Sequence, residues 1–291
     1  MDILILGGTR YFGIHMVNEL INQGHNITIA TRGRTSDKFG NNVKRIIFER
    51  TNEESVRQAL SGAHYDVVID KIAYCSNDIK YVMNTVDTDK YIYMSSTSVY
   101  NPKHINTVED DFNGYSGDFV WCGRFDFNYE EIKRQAEYAL WQAYPDNNWI
   151  AVRYPFAIGK DDYTKRLYFY VEHIINAIPM NINNINAQMS FIKSDEAGIF
   201  LAYLIDKDFK GAVNGASHGT ISIKEIIRYI EKKTNKIAII NDSGDTAPYN
   251  NEPEYSINTN KAESLGFKFS NLYDWIYDLL DYYIDCVSYK S

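Results

Sequence analysis

The 291-residue sequence predicts an α/β protein: a doubly wound parallel sheet with a smaller C-terminal lobe. Three observations carry the prediction. Short apolar runs alternate with stretches of helical periodicity. A glycine turn joins the first run to the first helix. The first run is continuously apolar, which suits a central parallel strand covered on both faces.

Residues Ile3 to Leu6 form that run. Gly7 and Gly8 stop it, and Phe12, Met16, Val17, Leu20 and Ile21 then recur at helical spacing. Glycines let the backbone approach a ligand closely, and the free N–H groups and positive dipole end of the helix favour an anion. A dinucleotide's diphosphate is held in this way, by Gly7, Gly8, Thr9, Arg10, Tyr11, Phe12 and Gly13. The spacing is not G-x-G-x-x-G, and Arg10 stands where a middle glycine is common.

Ile27 to Ala30 reads as the second strand, followed by Thr31-Arg32-Gly33-Arg34. An acidic residue there selects NAD through the ribose hydroxyls, and none is present. Arg32 and Arg34, with Arg10 across the turn, match a 2'-phosphate by charge and planar donors, so NADP is the expected cofactor and NAD the alternative.

Further strands are expected at Val43–Phe48, Asp66–Asp70, Lys90–Ser95 and Trp149–Arg153, with a helix over Glu53–Leu60. Right-handed crossovers between them imply a parallel sheet. The stretch from Asn101 to Asn128 has no period and is expected to be a functional or mobile loop. Later come helices at Arg166–Ala177, Asp195–Ile205, Ser222–Thr234 and Asn271–Val287, and strands at Gln188–Ile192, Ala212–Asn214 and Lys236–Ile240.

Net charge is −8, with 45% hydrophobic and 23% charged residues, as in ordinary soluble proteins. Acidity opposes a large basic footprint for nucleic acid. No apolar run is long enough to span a bilayer and no leader pattern is evident, so a cytoplasmic protein is expected. Cys75, Cys122 and Cys286 lack paired spacing, and His25, His64, His104, His173 and His218 show no metal-ligand spacing, so no metal is expected.

Tyr129 and Lys133 share one helix face in a stretch running to Ala143. An ammonium beside a phenol favours the phenolate and makes Tyr129 a candidate acid or base. The spacing recurs at Tyr203/Lys207 and Tyr229/Lys233, so position decides. Only the first pair follows a strand ending in a hydroxyl-rich segment, Ser95-Ser96-Thr97-Ser98-Val99-Tyr100, and ligands gather at the carboxyl ends of such strands.

With these motifs the chain resembles the extended short-chain dehydrogenase/reductase family, which includes sugar-nucleotide epimerases and dehydratases. The resemblance rests on GGTRYFG, SSTSVY, YEEIK, VRYPFAIG at 152–159 and SFIKSDEAG at 190–198. It implies a Rossmann fold and places Ser96, Tyr129 and Lys133 in the catalytic positions. Tyrosine exchanges a proton with the substrate hydroxyl as hydride passes to or from nicotinamide. Serine bonds the same oxygen, and lysine holds the nicotinamide ribose. The segment with Tyr154 and Pro155 then lies beside the nicotinamide.

Arg10 and the T-R-G-R segment look like the atypical branch that includes chloroplast stem-loop RNA-binding proteins. Phe156 or Ala157, and Met189, stand where sugar-nucleotide epimerases often carry Asn and Arg contacts. The implied organisation is a cofactor domain over 1–155 and mainly a substrate lobe over 156–291, with part of 190–215 returning to the first. Lys160, Asp161, Asp162, Lys165 and Arg166 lie near a substrate entrance, though solvated charges are the plainer account. The expected function is NAD(P)-dependent hydride chemistry, as a reductase, epimerase or dehydratase, on a small, sugar-derived molecule. The alternative is a non-catalytic dinucleotide sensor or RNA-binding member. Expected partners are the substrate and a second copy in a homodimer, not nucleic acid or a membrane.

Overall fold

The computed structural model describes residues 1–289; the last two residues of the expected 156–291 lobe lie outside them. In chain order the first part runs β1 (Asp2–Leu6), α1 (Phe12–Asn22), β2 (Asn26–Thr31), β3 (Val43–Ile47), α2 (Glu53–Leu60), β4 (His64–Asp70), α3 (Ser76–Met83), β5 (Asp87–Met94), α4 (Tyr129–Tyr138) and β6 (Trp149–Arg153). The second part runs β7 (Phe156–Ile158), α5 (Arg166–Ile175), β8 (Met180–Asn181), β9 (Gln188–Met189), β10 (Phe191–Lys193), α6 (Ser194–Tyr203), β11 (Gly211–Asn214), β12 (Ile221–Ser222), α7 (Ile223–Thr234), β13 (Asp245–Thr246), α8 (Asn260–Ser264) and α9 (Ile276–Ser288).

Seven parallel strands form the main sheet in the order β11-β6-β5-β4-β1-β2-β3. The order reverses between β1 and β4, and a crevice at such a switch point is where open α/β sheets take ligands. The apolar run of β1 is explained by its two covered faces. Ile3 and Ile5 join the core that holds Met16, Val17 and Leu20 of α1 and Phe200 and Leu201 of α6. Leu4 and Leu6 join the opposite core with Val56 of α2, Ile79 of α3 and Ala136 of α4. A third core, around Tyr170, Phe191, Ile226 and Leu280, belongs to the C-terminal elements.

Gly198 of α6 decides how closely two helices approach. A Cβ there would lie 2.3 Å from the carbonyl oxygen of Phe12 and 2.8 Å from the amide of Met16. Gly198→Ala is therefore expected to cost about 1–3 kcal/mol by overpacking, read as a lower urea midpoint; an unchanged midpoint would refute the close approach.

Several elements differ from expectation. Helix α3 was not foreseen, because its eight residues, SNDIKYVM, carry too few apolar positions to show a period. Residues 236–240 are not a strand: Ile237 and Ile240 are exposed, and the segment makes only a bridge from Ile240 to Met180. The expected strand 188–192 divides at Ser190, with β9 antiparallel to β12 and β10 parallel to β7. The last helix starts at Ile276, after a 3₁₀ turn at Leu272–Asp274. Helix α4 continues past Tyr138 as a π-helical turn, Ala139–Ala143.

Much of the 101–128 segment is held down rather than free. Gln142 Nε2 donates to the carbonyls of Gly114 (2.9 Å) and Gly117 (3.0 Å), and Gln135 Oε1 accepts from the Val120 amide (2.7 Å). Those two glycines are explained by the side chains laid on them, Trp141 on Gly114 and Tyr138 on Gly117. No helix among the described residues is long and apolar enough to cross a membrane.

Candidate active site

A cleft of about 480 Å³ opens at the carboxyl ends of β1, β4, β5 and β6. Tyr11 and Phe12 come from the glycine turn, Lys71, Ile72 and Tyr74 from the end of β4, Ser96 from the end of β5, Tyr129 from α4, and Tyr154 and Pro155 from the end of β6. Residues far apart in sequence are thus brought onto one surface.

The turn is built for close approach. Gly7 and Gly8 have φ of +99° and +95°, and a Cβ on Gly13 would meet the Gly8 Cα at 2.8 Å. No side chain caps α1 and its first turn holds no acidic residue, so its positive end is left for an anion. Tyr11 precedes the helix at φ +59°, ψ −146°, a region that non-glycine residues occupy only under strain. Its hydroxyl donates to the Ala157 carbonyl, tying the turn to β7. Arg10 lies over the Tyr163 ring at 4.0 Å, and His15 meets Asp161 at 3.0 Å. Three links thus join the turn region to 157–163.

Asn128 caps α4 by accepting from the Glu131 amide at 2.9 Å, which fixes where Tyr129 stands. Tyr129 is 45% exposed and packs edge-on against Tyr74. Lys133, one turn on, is buried beneath the cleft and donates to the carbonyls of Ala73 (3.1 Å) and Met94 (2.9 Å).

The charge of Lys133 is not what governs the phenol here. Although Tyr129 as a whole is partly exposed, desolvation pushes its phenol up to about 12, with hydrogen bonding from Ser96 and the charge of Arg166 pulling the other way. Burial also holds Lys133 down, at about 7, against the raising influence of Glu137, Asp70 and Asp78. At neutral pH Tyr129 is a proton donor.

Two buried ionic clusters hold these elements. Asp70 accepts from the amides of Ile72 (3.1 Å) and Ala73 (2.9 Å) and from Tyr91 Oη (2.7 Å), and pairs with Arg50. This shapes the chain that carries Lys71 and Tyr74. Glu137 of α4 pairs with Arg153 of β6 at 2.6 Å, both fully buried, and accepts from the Ser95 hydroxyl.

The structure does not place every expected residue on the cleft. Thr31 ends the neighbouring strand β2 and Arg32 and Arg34 follow it, and none of them lines the cleft; against desolvation, hydrogen bonds from Thr51 lower the Glu49 carboxyl and the charges of the two arginines add to that. Lys133 lies below the wall. The Tyr154 hydroxyl is turned away to the Ala197 carbonyl at 2.8 Å. The entrance charges are not simply solvated. Asp162 is buried, Asp161 is bonded by His15 and Ser194, and Arg166 lines the cleft over Phe156. Lys71, Lys103 and Glu252 also line the cleft and were not singled out from the sequence. For Lys71 the signal was available: it directly follows a strand end.

His64, Asp66 and Asp89 bring ligand atoms within 4.8 Å of one another, although histidine spacing showed no such group. They lie near the amino ends of β4 and β5, away from the cleft, and His64 is ion-paired to Asp87 and Asp89.

Sheet order, glycine turn and cleft define a dinucleotide-fold protein of the extended short-chain dehydrogenase/reductase type. The chain belongs to the NAD dependent epimerase/dehydratase family, whose profile matches residues 3–212. It is similar to a putative epimerase from Burkholderia cenocepacia (TM-score 0.74, 16% identity, 98% of each chain covered). It is also similar to the Bacillus cereus UDP-glucuronic acid 4-epimerase solved with UDP-glucuronic acid and NAD (TM-score 0.73, 15% identity, 100% of each chain covered). Among curated proteins, the Arabidopsis thaliana chloroplast stem-loop binding protein of 41 kDa b is 30% identical over 112 residues, 34% of this chain and 30% of that protein. The chain therefore spans less than a third of that relative's length.

Proposed function

We propose that the protein is an NAD(P)-dependent epimerase, dehydratase or reductase acting at a hydroxyl or carbonyl carbon of a small, sugar-derived molecule. The observation that carries this reading is the shared cleft: Ser96 and the protonated Tyr129 on one wall, beside the glycine turn. The turn fits a dinucleotide, since Gly7 and Gly8 take positive φ and leave no side chain on it, and the end of α1 is uncapped. Gly7, Gly8, Thr9, Arg10, Tyr11, Phe12 and Gly13 would hold the diphosphate, and Tyr154 and Pro155 would flank the nicotinamide. Bound nicotinamide supplies the hydride donor or acceptor.

In this reading Tyr129 gives its proton to the substrate oxygen as a carbonyl is reduced, and recovers it in the reverse direction. Ser96 orients that oxygen, and Lys133 fixes the ribose from below. Residues 1–155 form the cofactor domain and 156–291 mainly the substrate lobe, with part of 190–215 returning to the first; the working unit is a cytoplasmic homodimer. Sugar nucleotides are the substrate class to screen first, because similarly folded proteins are solved with UDP-sugars.

Arg10, Arg32 and Arg34 favour the 2'-phosphate. Calorimetry is expected to give an NADP Kd about tenfold below that of NAD, a gap that closes in Arg32→Gln/Arg34→Gln. Equal affinities in the wild type would rule the preference out. Turnover of a UDP-sugar panel with each cofactor, followed by NMR, tests the activity itself. RNA binding is a second reading, favoured by the name of the Arabidopsis relative and opposed by the net charge of −8. Salt-sensitive retention on a stem-loop RNA without cofactor binding would put it first.

A further inference from the structure

Two cations beside the glycine turn, Arg10 within it and Lys71 at the end of β4, are in no ion pair among the described residues. Arg10 and Lys71 have no carboxylate within 4.0 Å among the described residues, although the chain has an excess of acidic groups. Arg10 is exposed and stacks on Tyr163. Lys71 is half-buried at the end of β4, lines the cleft, and sets its ammonium 4.2 Å from the centre of the Phe12 ring.

The stem of Lys71 crosses the turn. Its Cδ lies 3.0 Å from where a Cβ on Gly13 would stand, and its Cβ 3.7 Å from the corresponding point on Gly7. The side chain is therefore packed against two glycines of the turn and also lines the cleft beside it. Burial and the charge of Arg10 hold its ammonium down, to about 8, with Asp161 opposing them. A like-charged neighbour and burial make the charged form costly, and an anion between the two cations reverses that cost. The uncapped end of α1 adds its dipole at the same place.

We infer that Lys71, with Arg10 as the outer cation, is a binding residue for the diphosphate of the dinucleotide, taking over part of what backbone amides alone do where the middle glycine is present. This rests on the cofactor reading above and assigns a ligand contact to a residue outside the turn. A sugar nucleotide also carries a diphosphate. The cofactor's is the one inferred, because the side chain of Lys71 packs against Gly7 and Gly13 of the β1–α1 turn.

The test measures ADP-ribose, AMP and UDP binding by calorimetry to wild type, Lys71→Met and Lys71→Arg. ADP-ribose affinity is expected to fall about tenfold in Lys71→Met and to recover in Lys71→Arg. AMP and UDP are expected to change less than about twofold, and NAD and NADP to lose affinity equally. Unchanged ADP-ribose affinity in Lys71→Met overturns the inference. So does an equal loss for AMP, which reports a collapsed turn, or a loss confined to UDP, which assigns the lysine to the substrate. Should Lys71→Met not fold, Lys71→Gln takes its place with the same outcomes. A wild type that binds neither ADP-ribose nor any nicotinamide dinucleotide overturns the cofactor reading as well, and is thereby told apart.

Discussion

Replacing Tyr129 with phenylalanine is expected to lower turnover by about 10²- to 10⁴-fold, the usual worth of a positioned acid or base. The change removes one oxygen. The edge-on contact with Tyr74, at 6.2 Å between ring centres, is kept, as is the Asn128 cap that starts α4. Cofactor affinity and the urea midpoint should therefore stay within error, and the loss should appear in kcat. The sign follows from the protonation state. A phenol pushed up to about 12 is protonated at neutral pH, so under the proposed mechanism Tyr129 serves as the acid in the carbonyl-reducing direction. The substrate for this assay is whichever member of the UDP-sugar panel the wild type converts. Retained turnover in Tyr129→Phe would sink the mechanism while leaving the cofactor reading intact.

Glu137→Gln is expected to destabilise the protein by about 3–5 kcal/mol, because it leaves the Arg153 guanidinium fully buried without its counter-charge. The substitution keeps the side chain's shape, so the effect isolates charge. Arg153 Nε and Nη2 face the two carboxylate oxygens, and Arg153 Nη1 donates to Tyr100 Oη (3.0 Å) and the Glu109 carbonyl (2.8 Å). The pair joins α4, which carries Tyr129 and Lys133, to β6, and Ser95, next to Ser96, donates to the same carboxylate, so all three catalytic candidates sit on elements that it ties. Urea unfolding at pH 7 measures the loss. Replacing both partners by apolar residues in Glu137→Leu/Arg153→Met should recover part of it, since an apolar pair carries no desolvation cost. A shift under about 1 kcal/mol for Glu137→Gln would show that the pair does not hold the site together.

The sheet was legible because its strands follow local rules. β1 is apolar throughout because both its faces are covered, and the helix after it shows its period because one stripe meets the core. Two features were not legible for the opposite reason. Helix α3 buries four of its eight residues but two of these, Ser76 and Asp78, are polar, and the apolar 236–240 segment is left largely exposed, so neither periodicity nor hydrophobicity reported the outcome. The 101–128 segment lacks a period because its order comes from side chains elsewhere, Tyr138, Trp141, Gln135 and Gln142.

By itself the sequence determined the glycine turn, the placement of Ser96, Tyr129 and Lys133 at the ends of successive elements, and membership of the family. Each of these is written in residues close together along the chain. Tertiary structure alone decided the environment of those groups. It set the phenol as an acid, turned Lys133 towards two carbonyls, buried Asp162, brought Arg166 to the cleft, and laid Lys71 across the turn. The physical reason is that pKa and ligand contact depend on burial and on neighbours brought together from distant parts of the chain, which spacing along a sequence does not encode.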